Sequence, residues 1–382
     1  MNPRFFLSLV SVALFTGADL LRGETGAPAA CPTGLVDGPA TCSTSGCHGG
    51  ASETSRQYVI WSQRDVHSRS YATLTSARSA RMAEALHVAD PTQSQRCTAC
   101  HAPVQTVAAA QLTPNAHVED GVACVSCHGT TTDEWLRSHT RKDWTHQDRV
   151  AAGMRDLRNL YGRANACVAC HQNIDPELVN VGRHPQLIFE LDGQAASEPK
   201  HWRETAGWNG AQAWYVGQAV ALRELSSALV HGRTNDALDA PRWAGLVWLL
   251  QRCSAVSALP SLASQAADPS PATYAAALDG GDHLAQKLAD TPWSPEATRA
   301  LLKQLASAQA DFRDAKVGST WQARRAERLV LALDRLVASL PAAERPRAGG
   351  APLDRLFQLA QSVPDFAPGD FASALAEFEK AL

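Results

Sequence analysis

The chain has 382 residues, 45% of them hydrophobic and 19% charged, with a formal net charge of −3. That composition supports one or two globular domains, and nothing in it is basic enough for nucleic-acid binding. Ten cysteines and thirteen histidines leave metal or cofactor chemistry as the class to examine.

Residues 1–22 begin MNPR, continue as the apolar run FFLSLVSVALF and break at Thr16-Gly17-Ala18-Asp19. This pattern predicts a secretory signal peptide, cleaved after Ala18 or as late as residue 30. The apolar run is shorter than the roughly 20 residues a membrane-spanning helix needs. Cys31 follows Ala29-Ala30, but Pro28 and the distance from the apolar run argue against a lipoprotein anchor. Residues 23–41, rich in Gly, Pro, Ala and Thr, read as an irregular lead-in.

The chain then carries Cys97-Thr-Ala-Cys100-His101, Cys124-Val-Ser-Cys127-His128 and Cys167-Val-Ala-Cys170-His171. C-x-x-C-H is the attachment signature of haem c: two cysteine sulfurs bond the porphyrin edge and the histidine reaches the iron. Chance gives about 0.009 copies in a chain of this composition. Cys42-Ser-Thr-Ser-Gly-Cys47-His48 reads as a further, stretched site, the first in chain order. Zinc knuckles do not account for a histidine after every second cysteine. Four covalently attached haems are therefore expected, with His48, His101, His128 and His171 as proximal ligands. Export agrees with them, because haem c is attached outside the cytoplasm.

About 160 residues for four macrocycles leave no globin-sized pocket for each. The haems must supply much of the core and lie against one another. Helices are expected over 75–87 and 148–161. Apart from Met1, the chain has only Met82 and Met154, so methionine cannot serve four irons. Nine further histidines are available: His67, His87, His117, His139, His146, His184, His201, His231 and His283. A second histidine fills an iron's coordination sphere and favours electron transfer over catalysis.

Several stretches now resemble the tetrahaem cytochrome c-554/c-prime family: Trp61 with His67-Ser-Arg-Ser-Tyr71, Gly121 before the third site, Trp135-Leu-Arg-Ser-His139, Arg183-His184-Pro185 through Leu191, and Lys200-His201-Trp202. The resemblance covers about residues 40–220 and includes the stretched first site. It implies that His67, His139, His184 and His201 are distal ligands, with their pairing to individual irons left open. His87 and His117 fall where no ligand is expected, and His146 is a reserve. Arg183 departs from the family's small residues there, which points to a propionate or a solvent channel beside it. Cys253-Ser-Ala-Val256 aligns with a further site of longer relatives and reads as a lost one, leaving a buried thiol or a disulfide to Cys31.

Beyond Trp202 the sequence turns Ala- and Leu-rich with helical periodicity. Leu222, Leu225 and Leu229 share one face of a helix that Gly232 can end. Trp243, Leu246, Leu250 and Cys253 mark a second. Ser270-Pro271 and Ser294-Pro295 are helix starts, and a long helix is expected over 320–340. His231 and His283 read as surface residues. The expected fold is mainly α: short helices and loops around a packed four-haem array (42–204), followed by a C-terminal antiparallel helical bundle (205–382). The second part reads as a docking or spacer domain, or as a scaffold covering one side of the haems.

The reading is an exported, periplasmic or otherwise extracytoplasmic carrier of electrons between redox partner proteins, without catalytic side chains. The mature chain lacks a transmembrane span and could associate peripherally with a membrane redox complex. The alternatives are a multihaem oxidoreductase with one open iron acting on a small nitrogen or sulfur compound, and a fixed or polymeric electron conduit.

Overall fold

The computed structural model describes residues 34–129, 133–205, 207–233, 236–254, 256–257, 269–362 and 365–382. The expected signal peptide and Cys31 lie outside the described residues. All described residues fall in one compact unit, Pro32–Leu382. The fold is mainly α, and the pairing of Val36 with Leu112 is an isolated bridge.

The first half is built from short helices: α1 Gln57–Arg64, α2 Ser70–Leu74, α3 Ala77–Ala85, α4 Gln95–His101, α5 Cys124–His128, α6 Asp133–Ser138, α7 His146–Ala151, α8 Leu160–His171, α9 Pro176–Asn180 and α10 Leu191–Ser197. The helix expected over 75–87 is present as α3. The one expected over 148–161 is not continuous. It stops at Ala151, Gly153 turns the chain at φ +113°, and Asn159 restarts it by accepting from the Gly162 amide at 3.1 Å. A left-handed glycine followed by an Asn cap divides one apolar pattern into two helices.

The second half has longer helices: α11 Gly210–Val230, α12 Asp239–Arg252, α13 Pro271–Asp290, α14 Pro295–Ala306, α15 Gln309–Phe312, α16 Ser319–Ser339, α17 Ala351–Ala360 and α18 Pro368–Lys380. Ser270 and Ser294 cap α13 and α14 with proline at the first helical position, as their sequences predict. α11 is apolar nearly all round and buried accordingly. It runs antiparallel to α13: Gln212 Nε2 donates to the carbonyls of Leu288 (2.7 Å) and Thr291 (2.9 Å). Further along, a Cβ at Gly281 would stand 2.9 Å from the Ala219 carbonyl oxygen, so the two backbones meet there. α12 and α16 pack together beside them.

The buried apolar cluster includes Trp214, Tyr215, Trp243, Phe312, Phe371 and Phe378, and its first residue is Leu160. Between Gly34 and Asn159 the described chain contributes nothing to that cluster. Cys253 is a free thiol inside it, and burial pushes that thiol far above its ordinary range.

One helix joins the two halves. α8 carries the last attachment motif and lies against α11. Tyr161 Oη donates to Asp282 (2.7 Å), and Arg223 binds Asn165 (2.6 Å), Glu224 (2.7 Å) and Asp282 (2.8 Å). Asn173 Nδ2, just past α8, donates to the Glu224 carbonyl at 2.8 Å. The final attachment site is thus fixed to the helical half by a polar cluster, most of it more than half buried.

Candidate functional site

The four histidines expected as proximal ligands each face one of the four expected as distal. Ring centroids are 6.2 Å apart for His48 and His139, 6.1 Å for His67 and His171, 6.5 Å for His101 and His184, and 6.4 Å for His128 and His201. Two imidazole nitrogens each about 2.0 Å from one metal ion imply a centroid separation of roughly 6.3 Å. All four pairs fit that spacing. The first pair is nearly coplanar at 16°, and the others cross at 79°, 74° and 67°.

Residues 41–129 and 123–179 match the sequence pattern of cytochrome c554 and c-prime. This part of the chain belongs to the cytochrome c554 and c-prime family. Residues 41–179 thus carry the pattern of a c-type cytochrome, a family that implies covalently bound haem c as cofactor. No curated protein and no solved structure matches the chain significantly.

Six of these eight imidazoles are held through Nδ1, which leaves Nε2 free for a metal ion. His48 Nδ1 meets Gln57 Oε1 at 3.2 Å. His101 Nδ1 meets the Ser70 carbonyl and Thr73 Oγ1, each at 3.0 Å. The His139 and His184 Nδ1 atoms meet the carbonyls of Leu136 (2.8 Å) and Pro185 (2.9 Å). His171 Nδ1 lies 3.2 Å from Gln194 Nε2, while Gln194 Oε1 is buried without a partner. Rotating that amide by half a turn would let Oε1 accept from His171 Nδ1. His67 is the exception in kind, for its Nδ1 meets the carboxylate of Asp65 at 2.9 Å.

Burial lowers the proton affinity of His101, His171 and His201, and it brings His128 down to about 4 beside His201, His48 and Arg155. These rings are held neutral, the state that binds iron. His67 moves the other way, raised by its hydrogen bond to Asp65. Asp65 is itself buried, which pushes its carboxyl up, but the His67 hydrogen bonds outweigh burial and leave it below the usual range. Asp65, Glu198 and His201 bring ligand-type atoms within 4.8 Å of one another. Burial beside Asp65 pushes the Glu198 carboxyl up to about 7.

Local sequence explains how these rings are placed. Gly121 adopts φ +65°, and a Cβ there would stand 2.5 Å from Ser70 Oγ and 2.7 Å from the His67 carbonyl. The turn after His67 therefore sits directly on the residue that leads into α5. Val122 completes the joint: its amide donates to the His67 carbonyl at 3.0 Å, and its own carbonyl accepts from Trp61 Nε1 at 3.1 Å. Arg155 closes the far end of α5 by donating to the carbonyls of Ser126 (2.7 Å) and Cys127 (2.9 Å). Trp135 stacks on His139 at 4.9 Å between ring centroids. Next to His201, Trp202 donates to Glu204 at 2.7 Å, and Arg163 grips the same carboxylate while lying over the Trp208 ring.

Arg183 adopts φ +62°, a left-handed turn after α9 that lets the His184 amide donate to the Leu178 carbonyl at 2.8 Å. This aims His184. The remaining histidines are engaged elsewhere. His146 Nε2 binds Asp156 at 2.8 Å, His231 and His283 turn back to carbonyls of their own helices, and His87 and His117 are exposed.

Two contacts join different motifs: Cys42 lies beside Cys124, and Cys100 beside Cys170. Sequence reasoning missed Asp65. The D-x-H spacing was its signal, because a carboxylate two residues before a histidine can accept both its amide and its Nδ1 hydrogen.

Proposed function

We propose that the chain is an exported tetrahaem cytochrome that carries single electrons between redox partners through four bis-histidine irons. The observation that carries this reading is the set of four facing imidazole pairs near 6.3 Å, each joining a motif histidine to one from elsewhere in the chain. Cys42 and Cys47, Cys97 and Cys100, Cys124 and Cys127, and Cys167 and Cys170 are the attachment residues. The ligand pairs are His48 with His139, His101 with His184, His128 with His201, and His171 with His67.

Bound haem supplies a one-electron iron couple. The eight histidines would hold the four irons, two to each, and with both faces filled no position would be left for a small substrate, which supports a carrier over an enzyme. The polypeptide also brings the attachment sites together. The Cys42–Cys124 contact draws the first site to the third, and the Cys100–Cys170 contact draws the second to the fourth. Asp65 lies beside both His67 and His201, and so between the ligand pairs of the fourth and third sites. The spatial order that results is first, third, fourth, second. That order makes a continuous route with two ends.

No helix of the described residues is long and apolar enough to cross a membrane. Export rests on the N-terminal pattern and on where haem c is attached. Intact mass of the mature protein tests the count: four haems above the polypeptide mass are expected, and three would remove the Cys42/Cys47 site.

A further inference from the structure

We infer that Asp65 is a positioning residue that depresses the reduction potential of the iron between His67 and His171, setting it apart from the other three. The inference rests on the bis-histidine reading above. Asp65 sits in the bend between α1 and the turn that carries His67, with its side chain 2% exposed. One oxygen, Oδ1, accepts from the His67 amide at 2.9 Å and from His67 Nδ1 at 2.9 Å. The amide contact fixes the carboxylate relative to the ring, so its charge cannot swing away to water.

The chemistry of the acceptor is what distinguishes this pair. The contacts at Nδ1 of His48, His101, His139, His171 and His184 are to amides, carbonyls or a hydroxyl, all neutral. An anionic acceptor draws the Nδ1 proton toward itself and makes the opposite nitrogen a stronger donor, which favours oxidised over reduced iron. Burial strengthens the effect, because few water dipoles remain to screen the charge. A carboxylate of Asp65 also lies within 4.8 Å of a ring nitrogen of His201, so the iron between His128 and His201 feels the same charge without the hydrogen bond. Its shift should be smaller and of the same sign.

The test is spectroelectrochemical titration of the intact holoprotein, followed by low-temperature EPR. His67→Ala first marks the relevant iron, as the one whose low-spin signal is lost. Asp65→Asn keeps the shape and an acceptor oxygen but removes the charge. It should raise the reduced-to-oxidised ratio of that iron at least tenfold at fixed electrode potential, about 59 mV for one electron. Asp65→Glu keeps the charge and should stay within threefold of the parent protein. Unshifted potentials in Asp65→Asn, or equal shifts of all four irons, overturn the inference. So does a new high-spin iron in Asp65→Asn, because the carboxylate would then hold the ring in place rather than tune it. The bis-histidine reading fails separately, in the parent protein, if its irons are not all low-spin.

Discussion

Replacing Gly121 by Ala tests whether the joint between His67 and the third attachment site is as tight as the structure shows. Gly121 stands at φ +65°, which costs an L-residue about 1–2 kcal/mol. The new Cβ would also lie 2.5 Å from Ser70 Oγ and 2.7 Å from the His67 carbonyl. The serine hydroxyl can rotate, but the carbonyl belongs to backbone that already accepts from the Val122 amide at 3.0 Å. Relieving such overpacking costs about 1–3 kcal/mol more. The sum, about 2–5 kcal/mol, corresponds to a fall in Tm of roughly 4–20 °C for a large domain. Far-UV circular dichroism of the oxidised holoprotein measures it. Gly207→Ala is the control, since a Cβ there meets nothing within 4 Å. Because the displaced carbonyl is that of His67, one low-spin iron signal should weaken as well. If Gly121→Ala melts within 1 °C of the control with unchanged spectra, the described joint is wrong.

Three further outcomes are expected. His139→Ala should turn one iron high-spin without releasing haem, because its thioether bonds are untouched; His146 cannot replace it while bound to Asp156. Four low-spin irons in that variant would remove His139 from the ligand set. Glu190 is a second target. Burial pushes its carboxyl up to about 7, so it favours folding most below its ordinary range, and that contribution is lost as pH rises toward 7 and beyond. Glu190→Gln, which can still accept from the Gly193 amide at the start of α10, should stabilise the protein by up to about 3 kcal/mol at pH 8 and by little at pH 4. Denaturant melts at the two pH values measure it, and equal effects at both would contradict the buried carboxyl. Lastly, Arg163→Ala should loosen the segment after His201 by removing its grip on Glu204 and its stacking on Trp202 and Trp208, leaving Lys200 as the cation there; spectra showing no change at any iron would contradict that brace.

The attachment motifs were legible in the sequence because covalent chemistry demands fixed residues at fixed spacing. The histidines proposed as distal ligands were singled out only through resemblance: His48 and His139 are ninety-one positions apart in the chain, and no local pattern relates them. Their pairing needs the fold. Helix starts at Ser270 and Ser294 were readable because a capping side chain and a proline act locally. The break between α7 and α8 was missed because the apolar spacing on either side of Gly153 continues across it. Asp65 was passed over since a lone acid in a polar stretch is ordinary until its burial is known.

The central claim is that every iron lies between two imidazoles, and low-temperature EPR of the fully oxidised protein tests it most directly. Crossed imidazole planes leave the iron orbitals closer in energy than coplanar ones, so the pairs at 79°, 74° and 67° should give strongly anisotropic low-spin signals. The pair at 16°, His48 with His139, should give one rhombic low-spin signal. Four low-spin irons, unmoved by added cyanide or nitrite, are the predicted result. A high-spin iron whose signal shifts when either ligand is added would contradict the account.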